Sequence, residues 1–367
     1  MTNTIKKKLQ LLFKEISYGI FKLLYGKIDK IEDKDNFKIK KTTLDNNLNY
    51  NIYFVDDCRI YTDTINDTAI IKNNRIIEGP SFQIRSAKYD EISNNVVLLK
   101  GTPRVKKKIK GKIFSLLTGG AGNFNYWHWL FDVLPRLKIL QNSFELNKID
   151  YFLFPNIKKK FQYETLNILK IPIEKRLSSI ESRHIEANQI ISTDHPYVIK
   201  NDASNEIQNL PSWILFWLRE TFLNEKNYQD NSFPKKIYID RGDATSNHSK
   251  LRKIINENEI IEKLKIDNYD IIRLADFPFE QQVKMFFNAE RIIGLHGAGF
   301  ANLIFCKPNT EILEIKPSSD GKVIENLANK FNLKYKSISK VPKKFNHNNQ
   351  QGHVEVEYQE IQKIFNI

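Results

Sequence analysis

From Lys236 to Ile338, short apolar runs alternate strictly with segments of helical period, and that alternation dictates a parallel sheet. Lys236–Ile239, Asp270–Leu274, Arg291–Leu295, Glu311–Ile315 and Lys334–Ile338 read as strands. Ser249–Leu264, Phe279–Phe287, Ala298–Phe305 and Asp320–Phe331 read as the helices between them. A helix that joins two parallel strands crosses over right-handed, so helices cover both faces of the sheet. The fold class is therefore α/β, and ligands in such sheets bind beyond the carboxyl ends of the strands.

One of those ends is chemically distinctive. The run Ile292-Ile293-Gly294-Leu295 stops at His296-Gly297-Ala298-Gly299, and a helical pattern containing Asn302 begins there. Glycines let a backbone approach a phosphate closely, and the first N–H groups of a helix point at it. The turn has neither the GxGxxG spacing of dinucleotide folds nor the GK[ST] of P-loops, so neither hydride transfer nor ATP hydrolysis is favoured. Glu314, on the next strand, is a candidate for accepting hydrogen bonds from ribose hydroxyls, or else a surface acid paired with Lys316. Arg241 lies just past the first strand, with Lys250 and Arg252 following, and guanidinium groups bind phosphate oxygens bidentately. Together these residues describe a site for a nucleoside diphosphate.

The first half is less regular. Short strands are expected between Asn49 and Gly111, including Val96–Leu99 and a hairpin about Asn73-Asn74. Lys106, Lys107, Lys108, Lys110 and Lys112 then form a basic stretch, read as a solvated loop or as a contact for an anionic acceptor or lipid. An aromatic helix follows over Asn123–Leu140, with Tyr126-Trp127-His128-Trp129-Leu130-Phe131-Asp132-Val133-Leu134-Pro135-Arg136 at its heart. His128 and Asp132 are four residues apart, so a helix places them on one face. A carboxylate in so apolar a wall is expected to have a raised pKa and to serve as a general base, or the pair simply satisfies itself in the core. A metal site is not expected, because no second carboxylate cluster accompanies the histidines.

Residues 1–30 carry seven lysines, and Ile5, Leu9, Leu12, Phe13, Ile16, Ile20, Leu23 and Leu24 recur at steps of three and four. A basic amphipathic helix of this kind either lies in a membrane interface or packs on the protein's own body. Residues 29–48 read as a charged linker. No apolar run is long enough to span a bilayer, and a signal peptide is not expected. The net charge of +14 points to an anionic partner. Nucleic acid is disfavoured, since no helix-turn-helix, RRM or zinc-finger pattern is present. The two cysteines, Cys58 and Cys306, make no disulfide framework, which fits a reducing compartment.

The ordered blocks Arg252-Lys253-Ile254-Ile255-Asn256-Glu257, Phe279-Glu280-Gln281-Gln282-Val283 and Gly294–Gly299, with Asn302 and Glu314, resemble glycosyltransferase family 61. The upstream Tyr126-Trp127-His128 and Asp132–Leu137 are similar to that family's N-domain signature. The resemblance implies a GT-B type fold, with two Rossmann-like domains facing a cleft. It implies an inverting, metal-independent transfer from a nucleotide sugar, expected to be a UDP-sugar, with no cofactor. Carried onto matching positions, Asp132 is the base and His128 orients it or the acceptor. Arg241 and Arg252 hold the diphosphate, and His296 with the amides of Gly297, Ala298 and Gly299 stabilises it as it leaves. The polar span 242–251 lacks the denser arginine often found there. Asp90 or Asp202 remain alternative bases. Bacterial members similar to this chain serve capsular or other surface polysaccharides, which implies a glycan or lipid-linked glycan acceptor and a cytoplasmic enzyme at the inner face of the cell membrane. The alternative is a catalytically silent nucleotide-sugar binder within a polysaccharide assembly complex.

The expected organisation is a basic helix and linker over 1–48, an acceptor and base domain over 49–231, a nucleotide-sugar domain over 232–345, and a tail over 346–367 that packs back on the body.

Overall fold

The computed structural model describes residues 2–32, 37–45, 47–62, 68–120, 124–223, 228, 230, 232–242, 252–318, 321–343 and 352–365. It divides into two compact units, Met1–Lys159 with Lys170–Glu206, and Lys160–Leu169 with Ile207–Ile367. Both are α/β.

The first unit is built on a mixed sheet whose spine is the strand Leu48–Thr62. Lys38–Leu44, Thr68–Lys72 and His184–Thr193 pair with it antiparallel. Beyond His184–Thr193 the sheet turns parallel, through Lys107–Ser115, Tyr151–Phe154 and Arg176–Ser178. β-branched residues fill these strands, and Val55, Ile60, Ile113, Ile185 and Ile190 bury together on one face. At the expected hairpin, Asn73 and Asn74 have φ of 49° and 58°, the two left-handed residues that a tight two-residue turn requires.

Two expectations for this half fail for physical reasons. The span read as a linker contains the strands Lys30–Glu32 and Lys38–Leu44. Lys38, Lys40 and Lys41 are exposed there and only Thr42 and Leu44 are buried, so charge hides the alternation. Val96–Lys100 is a helical turn, not a strand. Asn95 caps it by accepting from the Val97 N–H at 3.2 Å, and Gly101 ends it at φ 66°. Four apolar residues are too few to reveal a period.

The second unit holds a fully parallel five-stranded sheet in the order Asp270–Arg273, Lys236–Asp240, Arg291–Leu295, Glu311–Pro317, Lys334–Lys340. The chain begins on the second of these strands, moves out to the first and then crosses back to the third. The order therefore reverses between Lys236–Asp240 and Arg291–Leu295, the point where doubly wound sheets bind ligands. The helix expected from Ser249 starts at Glu257 instead, and Ile254 forms a parallel bridge to Val354. That bridge draws the tail in: Val354, Val356, Ile361 and Phe365 share a core with Ile260 and Leu264.

The division between units falls after Glu206, whereas the sequence suggested 231. The helix Ser212–Phe222 explains why. Arg219 donates to the carbonyls of Ile304 and Cys306 at 2.6 and 2.8 Å, and Phe222 packs edge-on against Phe279. The excursion Lys160–Leu169 joins the same unit because Glu164 Oε2 accepts the first N–H of the helix Phe279–Asn288 at 2.8 Å.

Candidate active site

Two clusters of polar side chains lie beyond the carboxyl ends of parallel strands, one in each unit. The first belongs to the aromatic helix. Asn125 caps it, its side chain accepting from Trp127 N–H at 2.9 Å, and it runs from Tyr126 to Gln141 with one irregularity. Over Trp129–Val133 the turn widens, and Leu134 N–H reaches the carbonyl of Trp129 five residues back. Pro135, which has no N–H to donate, follows at the start of the next turn. Asp132 sits inside the widened turn, fully buried.

His128 Nδ1 lies 2.9 Å from Asp132 Oδ2, and His195 Nε2 lies 3.7 Å from the same oxygen. His195 Nδ1 accepts from the N–H groups of Tyr197 and Val198, which puts the proton of the neutral ring on Nε2, facing Asp132. Donation from His128 Nδ1 likewise leaves its Nε2 as the proton acceptor, and a quarter of that side chain reaches solvent. Arg136 ties the helix to both neighbouring strand ends. It donates to Leu117 O from one side and to Ser192 Oγ, Thr193 Oγ1 and Thr193 O from the other. Burial pulls its pKa down to about 10, only partly offset by Asp194, so it remains charged at neutral pH.

The expectation of a raised Asp132 pKa is wrong. Burial alone would raise it, but His128 and His195 together outweigh burial and hold the carboxyl well below the usual range. On His128 burial acts downward, and Asp132 more than compensates, so the net shift is upward. A carboxylate this acidic is a weak base; the imidazole it supports is the stronger one. Tyr197 completes the pocket, with burial and then the Asp132 carboxylate keeping its hydroxyl protonated.

His195 and Tyr197 escaped sequence reasoning. The available signal was Thr193-Asp194-His195-Pro196-Tyr197 at the end of an apolar strand, the position where a parallel sheet presents ligands. Of the alternative bases, Asp90 pairs with Arg85 at 3.3 Å, and Asp202 accepts from Asn205.

The second cluster lies at the order reversal of the five-stranded sheet. Arg241 follows one of the two strands flanking that reversal and His296 follows the other, and Arg241 Nη1 donates to His296 O at 2.8 Å. His296 Nδ1 is hydrogen-bonded to Glu314 Oε1. Tyr335 donates to Glu314 Oε2, and Lys316 Nζ stands 3.8 Å from that oxygen. Glu314 is therefore fully enclosed, at mid-strand opposite Gly294, and its visible work is to orient His296. Glu314, expected as a ribose ligand, has both carboxylate oxygens engaged by His296 and Tyr335.

The glycines divide by what surrounds them. A Cβ on Gly294 would meet Ile239 Cβ and Phe300 Cζ at 3.2 Å, and one on Gly299 would meet Leu274 Cδ1 at 2.9 Å. Both are small because neighbouring side chains fill the space. Gly297 differs: a Cβ there would lie 3.4 Å from the Arg241 guanidinium. Ala298 opens the helical segment Ala298–Phe305, and Asn302 is buried within it, donating to Gln282 at 3.3 Å. Arg252 is buried just ahead of the Ile254 bridge. Asn123, Lys250 and residues 243–251 of the polar span lie outside the described residues.

Comparison with known proteins bears on both clusters. The family model Glycosyltransferase 61 matches residues 126–313, from the helix that carries His128 to the strand that carries Glu314. A 95-residue segment, 25% of this chain, is 30% identical to the EGF domain-specific O-linked N-acetylglucosamine transferase of Drosophila melanogaster, of which it covers 18%. The enzymes of that name from Rattus norvegicus and Gallus gallus are 28% identical over 99 residues and 29% over 107, which is 26% and 28% of this chain and 19% and 20% of theirs. The matches thus span about a fifth of the length of these relatives. All three are animal proteins, not bacterial capsule enzymes. Since the family model covers just over half of its length, including His128, Asp132, His195, Arg241 and His296, the chain belongs to glycosyltransferase family 61.

Proposed function

We propose that the chain transfers a sugar from a nucleoside-diphosphate donor to an acceptor hydroxyl in a single, inverting displacement that needs no metal ion. The observation that carries this reading is the Arg241–His296–Glu314 cluster at the order reversal of a parallel sheet. A departing diphosphate needs positive charge and N–H donors in place before it leaves. Arg241 supplies a permanent cation. His296, held by Glu314, and the N–H groups that open Ala298–Phe305 supply directed donors.

On the acceptor side His128 takes the proton. As the acceptor oxygen bonds to the anomeric carbon, His128 Nε2 takes its hydrogen and the carbon–phosphate oxygen bond breaks toward the donor cluster. Asp132 stays ionised and stabilises the imidazolium that forms. The GT-B type fold implied by the family resemblance goes with this chemistry.

The relatives are named as N-acetylglucosamine transferases, so UDP-N-acetylglucosamine is the donor proposed first. A glycan hydroxyl on an anionic carrier is the acceptor proposed, on the strength of the basic stretch Lys106–Lys112. The test is turnover of a panel of nucleotide sugars with simple glycoside acceptors and chelator present. Release of nucleoside diphosphate, with the anomeric configuration inverted by NMR and lost in His128→Ala, supports the reading. Strict dependence on added divalent metal, retention of configuration, or unchanged turnover in His128→Ala contradicts it.

A further inference from the structure

The amino-terminal helix Thr2–Tyr25 presents itself to the rest of its unit the wrong way round for a helix in water. Leu9, Leu12, Phe13, Ile16, Ile20 and Leu23 form one stripe at helical spacing, and all are exposed, from 51% for Ile20 to 89% for Leu23. The half-buried positions in its second half, Ser17, Tyr18, Phe21, Lys22 and Tyr25, fall on the opposite side of the helix. Lys22 lies along Gly101, where a Cβ would stand 3.4 Å from its Cγ.

The last turn is locked to the body. Gly26 N–H closes on Lys22 O with φ 79°, ending the helix in the left-handed conformation. The Tyr25 ring packs edge-on against His184, with Lys106 Nζ 5.4 Å and Arg59 Cζ 6.0 Å from its centre. Tyr25 OH accepts from Lys106 N–H, and Arg59 donates to Tyr25 O. The helix is thus fixed at its end by polar and aromatic contacts while its aliphatic stripe faces outward. Packing on the body, one of the two readings open from sequence, does not cover that stripe among the described residues.

Charge selects the occupant. Lys7, Lys8 and Lys14 are exposed on the same helix, and Glu15 is the one acid in it. At the foot of the helix a cavity of about 490 Å³ is lined by Leu24, Arg59, Lys106, Lys108 and Lys110 with Asp57 and Glu186, and the bases outnumber the acids although Glu186 pairs with Lys106 and Lys108. A second copy of the chain would bring like charge against like charge, whereas an anionic bilayer offers hydrocarbon to the stripe and phosphate to the lysines. No described helix is long and apolar enough to cross a membrane, so the contact is one of lying in the interface. We propose that the helix Thr2–Tyr25 docks the protein on an anionic lipid bilayer, with the stripe Leu9–Leu23 in the acyl boundary and the lysines among the headgroups.

The test uses the full chain and vesicle co-sedimentation. Vesicles of phosphatidylcholine with phosphatidylglycerol should pull down wild type; vesicles of phosphatidylcholine alone should retain far less, and added salt should weaken binding. The double variant Phe13→Glu with Ile16→Glu places charge on the outward side, so folding is preserved and its melting curve verifies this. Its partitioning should fall by roughly tenfold or more. Binding that survives the double variant overturns the proposal. So does a wild type that ignores anionic vesicles but sediments as a dimer which the double variant splits.

Discussion

Asp132 and His128 each shift the other's proton. With the carboxyl held low and the imidazole raised, His128 is the base in the proposed transfer. The rate at limiting substrate should therefore fall on the acid side with a midpoint above 6.5. In Asp132→Asn the upward push is gone while burial still pulls down, so that midpoint should move lower and the maximal rate should drop roughly 10²- to 10⁴-fold. A pH profile that does not move would mean His128 is not the titrating group. The pair also links stability to pH. The raised His128 contributes stability that is complete below 6.5 and lost as pH rises through its folded value. The lowered Asp132 contributes stability that is present above 3.8 and lost as pH falls through its folded value. Urea unfolding should accordingly show the widest gap between wild type and Asp132→Asn between 3.8 and 6.5, narrowing at alkaline pH. The pairing itself was legible, because a spacing of four on a helix is a geometric fact. The sign of the Asp132 shift was not, because it turns on how far His128, joined by His195 from beyond a strand end more than sixty residues away, outweighs burial.

Strands were read correctly wherever their alternation with helices repeats, although the helix expected from Ser249 begins only at Glu257. All five strands of the second unit lie where alternation placed them, and the helix Phe279–Asn288 lies within one residue of its expected bounds. Short or charged elements were not legible: Val96–Lys100 has too few residues for a period, and Lys38–Leu44 hides its alternation under lysine. The turn after Arg291–Leu295 offers a test of how far element packing and ligand binding separate. Gly294→Ala forces Ile239 and Phe300 aside and should destabilise the fold by about 1–3 kcal/mol in urea titration. Gly297→Ala has an extended backbone and meets only the Arg241 side chain, so stability should change by less than about 0.5 kcal/mol. Nucleotide affinity, measured by calorimetry, should weaken in Gly297→Ala. Equal stability losses in both variants would contradict this division of roles.

At the scale of the whole molecule, the sequence indicated two α/β units but misplaced their boundary. The polar stretch near 224–232 resembles a linker, yet Arg219 and Phe222 fasten the helix before it to the second unit. Such contacts join residues some sixty to ninety positions apart and leave no local pattern. In the proposed function the Arg241–His296 cluster holds a nucleoside diphosphate. The measurement that tests it most directly is the melting temperature of wild type, His296→Ala and Asp132→Asn with and without UDP. A ligand at a hundred times its Kd stabilises the folded state by about 2.7 kcal/mol, enough to shift a melt clearly. UDP should raise the melting temperature of wild type and of Asp132→Asn, and His296→Ala should lose the effect. Stabilisation that persists in His296→Ala, or that disappears in Asp132→Asn alone, would contradict the claim.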